Sequence, residues 1–210
     1  MDMSDSGRPP ENEFWSGIFA QLSEFFKDPS PEFADDVVSG RLAMFFRERL
    51  AALGLDESLA DNLSMSGGDV HQKLNDEYRG IFQGHLSPYV VPVESIYKRW
   101  TKDPACQLPI ALEKGYLMGD SAIDMMEKYR VDGIVIPDGL SSMPDHVALE
   151  LEYMSFLLIN KNGNARSDFI ANHLDWIGDL VTDIEDVDKG KFYTAGAKIA
   201  LAIISQAALS

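Results

Sequence analysis

Apolar residues recur along this chain at intervals of three and four, the period of helices that bury one face. Phe14, Trp15, Ile18, Phe19, Leu22, Phe25 and Phe26 form the first such face, and Asp28-Pro29-Ser30-Pro31 ends it. Proline stops a helix because it lacks the amide donor and its ring clashes with the preceding turn. A second helix is expected from about Pro31, carrying Phe33, Val37 and Val38, and a third carries Leu42, Phe45, Phe46, Leu50 and Leu53 before Gly54 stops it. Asp69 is placed to cap a helix bearing Val70, Leu74, Tyr78, Ile81 and Phe82. Ser87 to Pro92 reads as an extended loop. Further helices are expected near 93–101, 107–117, 121–130, 144–160, 164–177 and 191–208, with Asp120 a candidate cap for the run holding Ile123, Met126 and Tyr129. Val131 to Ile136 is the one strand-like run, and one strand cannot make a sheet.

The pattern predicts an all-α protein, a single multi-helix bundle of about nine to eleven helices in two packed lobes. Residues 1–11 are polar, carry Pro9-Pro10, and read as a disordered tail. Residues 12–130 make an N-terminal helical lobe. Residues 131–143 hold Gly133, Pro137 and Gly139, lack helical periodicity and read as a hinge. Residues 144–210 make a C-terminal helical lobe.

Charge changes this picture more than composition does. The 210 residues contain 18 basic and 34 acidic side chains, a formal net charge of −16. Such a surface repels nucleic-acid phosphates and anionic lipid and attracts cationic partners. A solubility role alone also accounts for it. The single cysteine, Cys106, permits no internal disulfide and fits a reducing compartment. The acidic start Met1-Asp2-Met3-Ser4-Asp5 has no basic or apolar signal region, and no apolar run approaches the ~20 residues that span a bilayer. A cytoplasmic protein without stable membrane insertion is expected.

The candidate chemistry concentrates at Pro144-Asp145-His146-Val147-Ala148-Leu149-Glu150. Asp145 and His146 fall at a helix start, where free N–H groups and the positive dipole end favour negative groups. Glu150 follows His146 by four residues and shares its face. Val147, Leu151, Met154 and Leu158 form the apolar stripe of that helix. The trio reads as a structural cap with a backbone-bonded histidine, as a general base with an orienting acid in a small hydrolase, or as acceptors for guanidinium groups. No nucleophile is evident for the hydrolase. Elsewhere, His173 and Trp176 read as core packing with a satisfied imidazole, and His71 and His85 have no evident ligand partners. Asp183 to Gly190 fails the EF-hand spacing, since Val187 and Asp188 stand where an acidic ligand and a glycine are required, and it reads as an inter-helix loop. No zinc motif and no nucleotide-binding loop occurs, so no metal or cofactor is expected.

Three blocks resemble one family. Pro144-Asp145-His146 followed by Glu150-Leu151-Glu152-Tyr153-Met154 resembles the proline-x-aspartate-histidine helix start of the TorD/DmsD (NarJ-like) chaperones, here without the intervening residue. Leu74 to Phe82 with Pro92-Val93-Glu94-Ser95-Ile96-Tyr97 resembles the family's aromatic helix and proline-x-glutamate-serine-x-tyrosine turn. Phe169, His173-Leu174 and Trp176 resemble its histidine-leucine…tryptophan helix, in part. The blocks run in family order from Leu74 to Trp176.

The resemblance implies a non-enzymatic cytoplasmic chaperone for a molybdoenzyme catalytic subunit. It would bind the twin-arginine leader peptide or the apo-form until cofactor insertion and export, as a monomer or a homodimer exchanged at the hinge. Tyr78, Phe82, Pro92, Glu94, Ser95, Tyr97, Asp145, His146 and Glu150 would line the peptide-binding groove. A leaderless nitrate-reductase-type client is the alternative within that class.

Overall fold

The computed structural model describes residues 11–84, 88–161 and 163–209. Ten α-helices fill it: α1 (Glu11–Ser23), α2 (Pro31–Val38), α3 (Arg41–Ala52), α4 (Val70–Phe82), α5 (Glu94–Tyr97), α6 (Asp120–Asp132), α7 (Val147–Asn160), α8 (Gly163–His173), α9 (Ile177–Val187) and α10 (Phe192–Ala207). Three 3-10 segments join them, at Glu24–Phe26, Glu57–Leu63 and Asp138–Leu140. Among the described residues there is no strand, only an isolated bridge between Val93 and His146.

Local chemistry sets most of these boundaries. Ser30 accepts the Phe33 amide at 3.1 Å and Pro31 pre-sets the first turn of α2. Asp69 caps α4 by accepting the Gln72 amide at 3.0 Å. Gly54, at φ +68°, closes α3 in the left-handed region that a side chain resists. The Asp188 carboxylate accepts the amides of Gly190, Lys191 and Thr194 and so holds the entry to α10.

One hydrophobic core runs from Trp15 of α1 to Ile204 of α10 and spans both sides of residues 131–143. Helix α1 packs along α7, while α10 packs on α9 and on the Glu57–Leu63 turn. Helix α10 also meets the Glu24–Phe26 turn closely. A Cβ on Gly196 would lie 2.4 Å from the Phe25 ring, so α10 approaches that turn only because residue 196 has no side chain.

Several expectations are corrected. Residues 107–117 form no helix. Pro109 cannot donate, and Gly115 and Met118 adopt positive φ. The segment instead accepts from the irregular stretch before it, Trp100 N donating to Glu113 O at 2.9 Å and Thr101 N to Ala111 O at 3.0 Å. The helix expected over 93–101 is the single turn α5. Gly119, not Asp120, occupies the cap of α6, and Asp120 accepts from Lys102 N at 2.7 Å. Asp183 to Val187 belongs to α9, whose apolar residues Ile177, Leu180, Val181 and Ile184 keep helical spacing. Val131 and Asp132 continue α6 and Val131 to Ile136 makes no strand. Glu11 is helical, whereas the rest of the expected tail, His85 and Ser87 lie outside the described residues.

Candidate functional site: a buried joint of carboxylates and histidines

The start of α7 is sewn to the turn that precedes and forms α5. Val147 N donates to Pro92 O at 2.9 Å and Glu94 N to Asp145 O at 3.0 Å. The Asp145 side chain completes the seam, accepting Ser95 N at 2.7 Å and the Ser95 hydroxyl through the same Oδ2. Asp145 is therefore not the cap of α7. That place belongs to His146, whose Nδ1 accepts the Ala148 amide at 3.2 Å.

Behind the seam lies a second layer. His173, at the end of α8, bridges Glu94 Oε2 at 2.9 Å and Asp124 Oδ2 of α6 at 2.8 Å. Oxygens of Glu150 and Glu94 lie within 4.8 Å of each other and of a His173 ring nitrogen. Trp176 Nε1 donates to Glu150 Oε2 at 3.2 Å and to His173 O at 2.8 Å. The Lys98 ammonium stands 2.6 Å from Glu94 Oε1, reaches Asn172 O at 2.7 Å and pairs with Asp175. Tyr97 stacks on Trp176 with centroids 4.9 Å apart and donates to Asp183 at 2.8 Å. Helices α5, α6, α7, α8 and α9 all contribute side chains here.

Burial dominates the electrostatics. Glu94, Asp145 and Glu150 are all 0% exposed. Burial pushes the Glu150 carboxyl well above its ordinary value, and the neighbouring Glu94 charge adds to it. Burial also raises Asp145, against the Ser95 hydrogen bonds. Glu94 behaves oppositely. Burial pushes it up, but His173, Glu150 and Lys98 outweigh this and hold it below the usual carboxylate range. Of the two carboxyls, Glu150 is the one driven toward its neutral form. Burial lowers His146 to about 4, so it is neutral, as its acceptor role at Nδ1 requires.

Two openings flank the joint. One is a cleft of about 420 Å³ floored by His173, Phe169 and Asp124 and rimmed by Lys98 and Lys128. The other, about 240 Å³ and mainly apolar, lies between residues 134–137 and the α7 side chains Leu149, Glu152, Tyr153 and Phe156.

The geometry sorts the nine expected groove residues. Pro92, Glu94, Ser95, Tyr97, Asp145, His146 and Glu150 come together at the joint. Tyr78 and Phe82 pack with Phe26 and Tyr193, and the Tyr78 hydroxyl donates to Phe26 O at 3.2 Å. All nine are buried, so none presents an open wall in this conformation. Asp145 serves Ser95 while His146 caps α7 through the Ala148 amide, so the two do not form the paired base and orienting acid of the hydrolase alternative. Sequence reasoning missed Lys98, Asp124 and the link of His173 to Glu94. Only Lys98, four residues after Glu94, left a local signal.

A family model described as nitrate reductase delta subunit matches residues 48–187, which contain the whole joint. The chain belongs to that family. Within the delta-subunit family it is 31% identical over 106 residues to Chaperone protein TorD of Vibrio cholerae serotype O1 (strain ATCC 39315 / El Tor Inaba N16961), covering 45% of this chain and 48% of that protein. The match therefore spans about half the length of that relative. Chaperone protein TorD of Shewanella piezotolerans is 23% identical over 210 residues, covering 97% of this chain and 94% of the relative. That of Shewanella pealeana is 22% identical over 196 residues. The delta-subunit family residues 48–187 hold every member of the hydrogen-bonded network from Glu94 to Asp183. Among the described residues no helix is long and apolar enough to cross a membrane.

Proposed function

We propose that this chain is a cytoplasmic chaperone for the maturation of a redox enzyme, holding the twin-arginine leader or the immature form of a molybdopterin oxidoreductase subunit. The carrying observation is that the two segments with the family's residue pattern, Pro92–Tyr97 and Pro144–Glu150, are the two sides of one joint. Its action is occupancy: a held leader reaches neither the export machinery nor a protease. Asp145, Glu150 and Glu94 would accept guanidinium groups, with His146, Ser95 and Pro92 beside them. Tyr78, Phe82 and Tyr97 would meet the leader's apolar part. Because all of these are buried, contact requires the 131–143 segment to swing and open the joint, and the apolar pocket beside that segment supplies a first foothold for the leader. The net charge of −16 speeds encounter with a cationic peptide.

The test is titration of the full chain with a twin-arginine leader peptide and its twin-lysine counterpart. Tighter binding of the arginine form, weakened by salt and by Asp145→Asn, is expected. Equal affinities for both peptides, unchanged in Asp145→Asn, sink the proposed groove chemistry.

The family description favours a second reading, a leaderless nitrate-reductase-type client. Co-purification of a leaderless catalytic subunit, with no affinity for either peptide, would select it.

A further inference from the structure

Independently of the client, we propose that Glu94, Glu150 and His173 form a binding site for one first-row divalent cation, such as Zn²⁺ or Fe²⁺. One ligand atom from each lies within 4.8 Å of the other two, and all three side chains are buried. Metal–ligand bonds of about 2.0–2.2 Å set neighbouring ligand atoms roughly 3 Å apart. His173 Nδ1 and Glu94 Oε2 stand at 2.9 Å, already near that spacing, and the Glu150 oxygen closes on them from within 4.8 Å.

Each of the three is held from behind. Asp124 Oδ2 takes His173 Nε2, Trp176 Nε1 donates to Glu150 Oε2, and Lys98 Nζ faces Glu94 Oε1. Left facing inward are His173 Nδ1, Glu94 Oε2 and Glu150 Oε1, and the last has no hydrogen-bond donor. A carboxylate on the far nitrogen is how metal-binding histidines are oriented. Nδ1 shares a proton with Glu94 Oε2 in the metal-free protein, and a cation bound between the two takes that proton's place.

Charge argues the same way. Glu94, Glu150 and Asp145 are fully buried, and among the described residues Lys98 is the ammonium in contact with them. Three ionised carboxylates against one ammonium leave two negative charges in excess. A divalent ion cancels that excess and gives Glu150 Oε1 the partner it lacks. Two carboxylates with an imidazole suit Zn²⁺, Fe²⁺ or Mn²⁺, whereas Ca²⁺ and Mg²⁺ take oxygen-only shells.

The test uses the full chain, stripped with EDTA, desalted, and titrated with Co²⁺ as a spectroscopic probe and with Zn²⁺. Expected are one Co²⁺ per chain with visible d–d absorption, proton release on binding, and a rise in unfolding midpoint on the order of 5 °C at saturating Zn²⁺. Asp124→Asn, at a half-exposed position that spares folding, should weaken binding about 10–100-fold. Glu150→Gln should abolish it, and Glu77→Gln, in the acid pair with Asp188, should leave it unchanged. Absence of stoichiometric binding to the wild type, or equal affinity in Asp124→Asn, overturns the site. Should Glu150→Gln not fold, those two measurements decide.

Discussion

Glu94 Oε2 and His173 Nδ1 meet 2.9 Å apart beneath the surface, joining the single turn α5 to the last residue of α8. Through His173 Nε2 the contact extends to Asp124, and through the Glu94 carboxyl to Glu150. One hydrogen-bonded line thus crosses α6, α8, α5 and α7.

Removing its central member should be costly. Glu94→Ala strips Lys98 and His173 of their buried partner, and breaking a buried ion pair from one side costs about 3–5 kcal/mol. Glu94→Gln keeps the shape and one acceptor and should cost about 1–3 kcal/mol. Urea unfolding measures both. A loss below about 1 kcal/mol for the alanine variant would mean that the line does not hold the joint.

His146 makes the fold sensitive to acid. Its folded value is about 4, against about 6.5 for the unfolded chain. Between those limits the unfolded chain takes up a proton that the folded chain refuses. The associated stability is complete above pH 6.5 and falls as pH drops toward 4, by up to about 3 kcal/mol. His146→Asn keeps a capping oxygen and removes the titration. Its stability, relative to wild type, should improve steadily as pH falls through that window. Parallel stability-versus-pH curves for the two proteins would contradict this.

Gly196→Ala tests the approach of α10 to the 3-10 turn at Phe25. Alanine ordinarily favours a helix over glycine by about 1 kcal/mol. Here the new Cβ would sit 2.4 Å from the Phe25 ring, so the change should destabilise by about 1–3 kcal/mol. A raised melting temperature would show that α10 can shift without loss.

Residues 107–117 show where periodicity misleads. Leu108, Ala111 and Leu112 recur at helical spacing, yet Leu108 and Leu112 stay exposed and the backbone bonds to the neighbouring segment. Apolar spacing marks a helix only when a partner surface accepts the stripe. The opposite case is α9, where an acidic run at its C-terminal end masked a stripe that is buried throughout. At the candidate site, Asp145, His146, Glu150, Glu94 and Ser95 were visible because two short segments carried them together. His173 read as an ordinary core histidine, and Asp124 gave no sign.

What the chain alone determined is the all-α class, most helix positions, the cap at Asp69, and the buried stripe of α7. These depend on residues within a few turns of each other, and local hydrogen bonding and periodicity decide them. What only the tertiary structure decided is which way the polar groups turn. Whether Glu94 faces solvent or His173 depends on residues 79 positions apart, and no local rule carries information across that separation. Packing α7 and α8 around α5 removed water from the carboxylates, and desolvation then forced them to find one another.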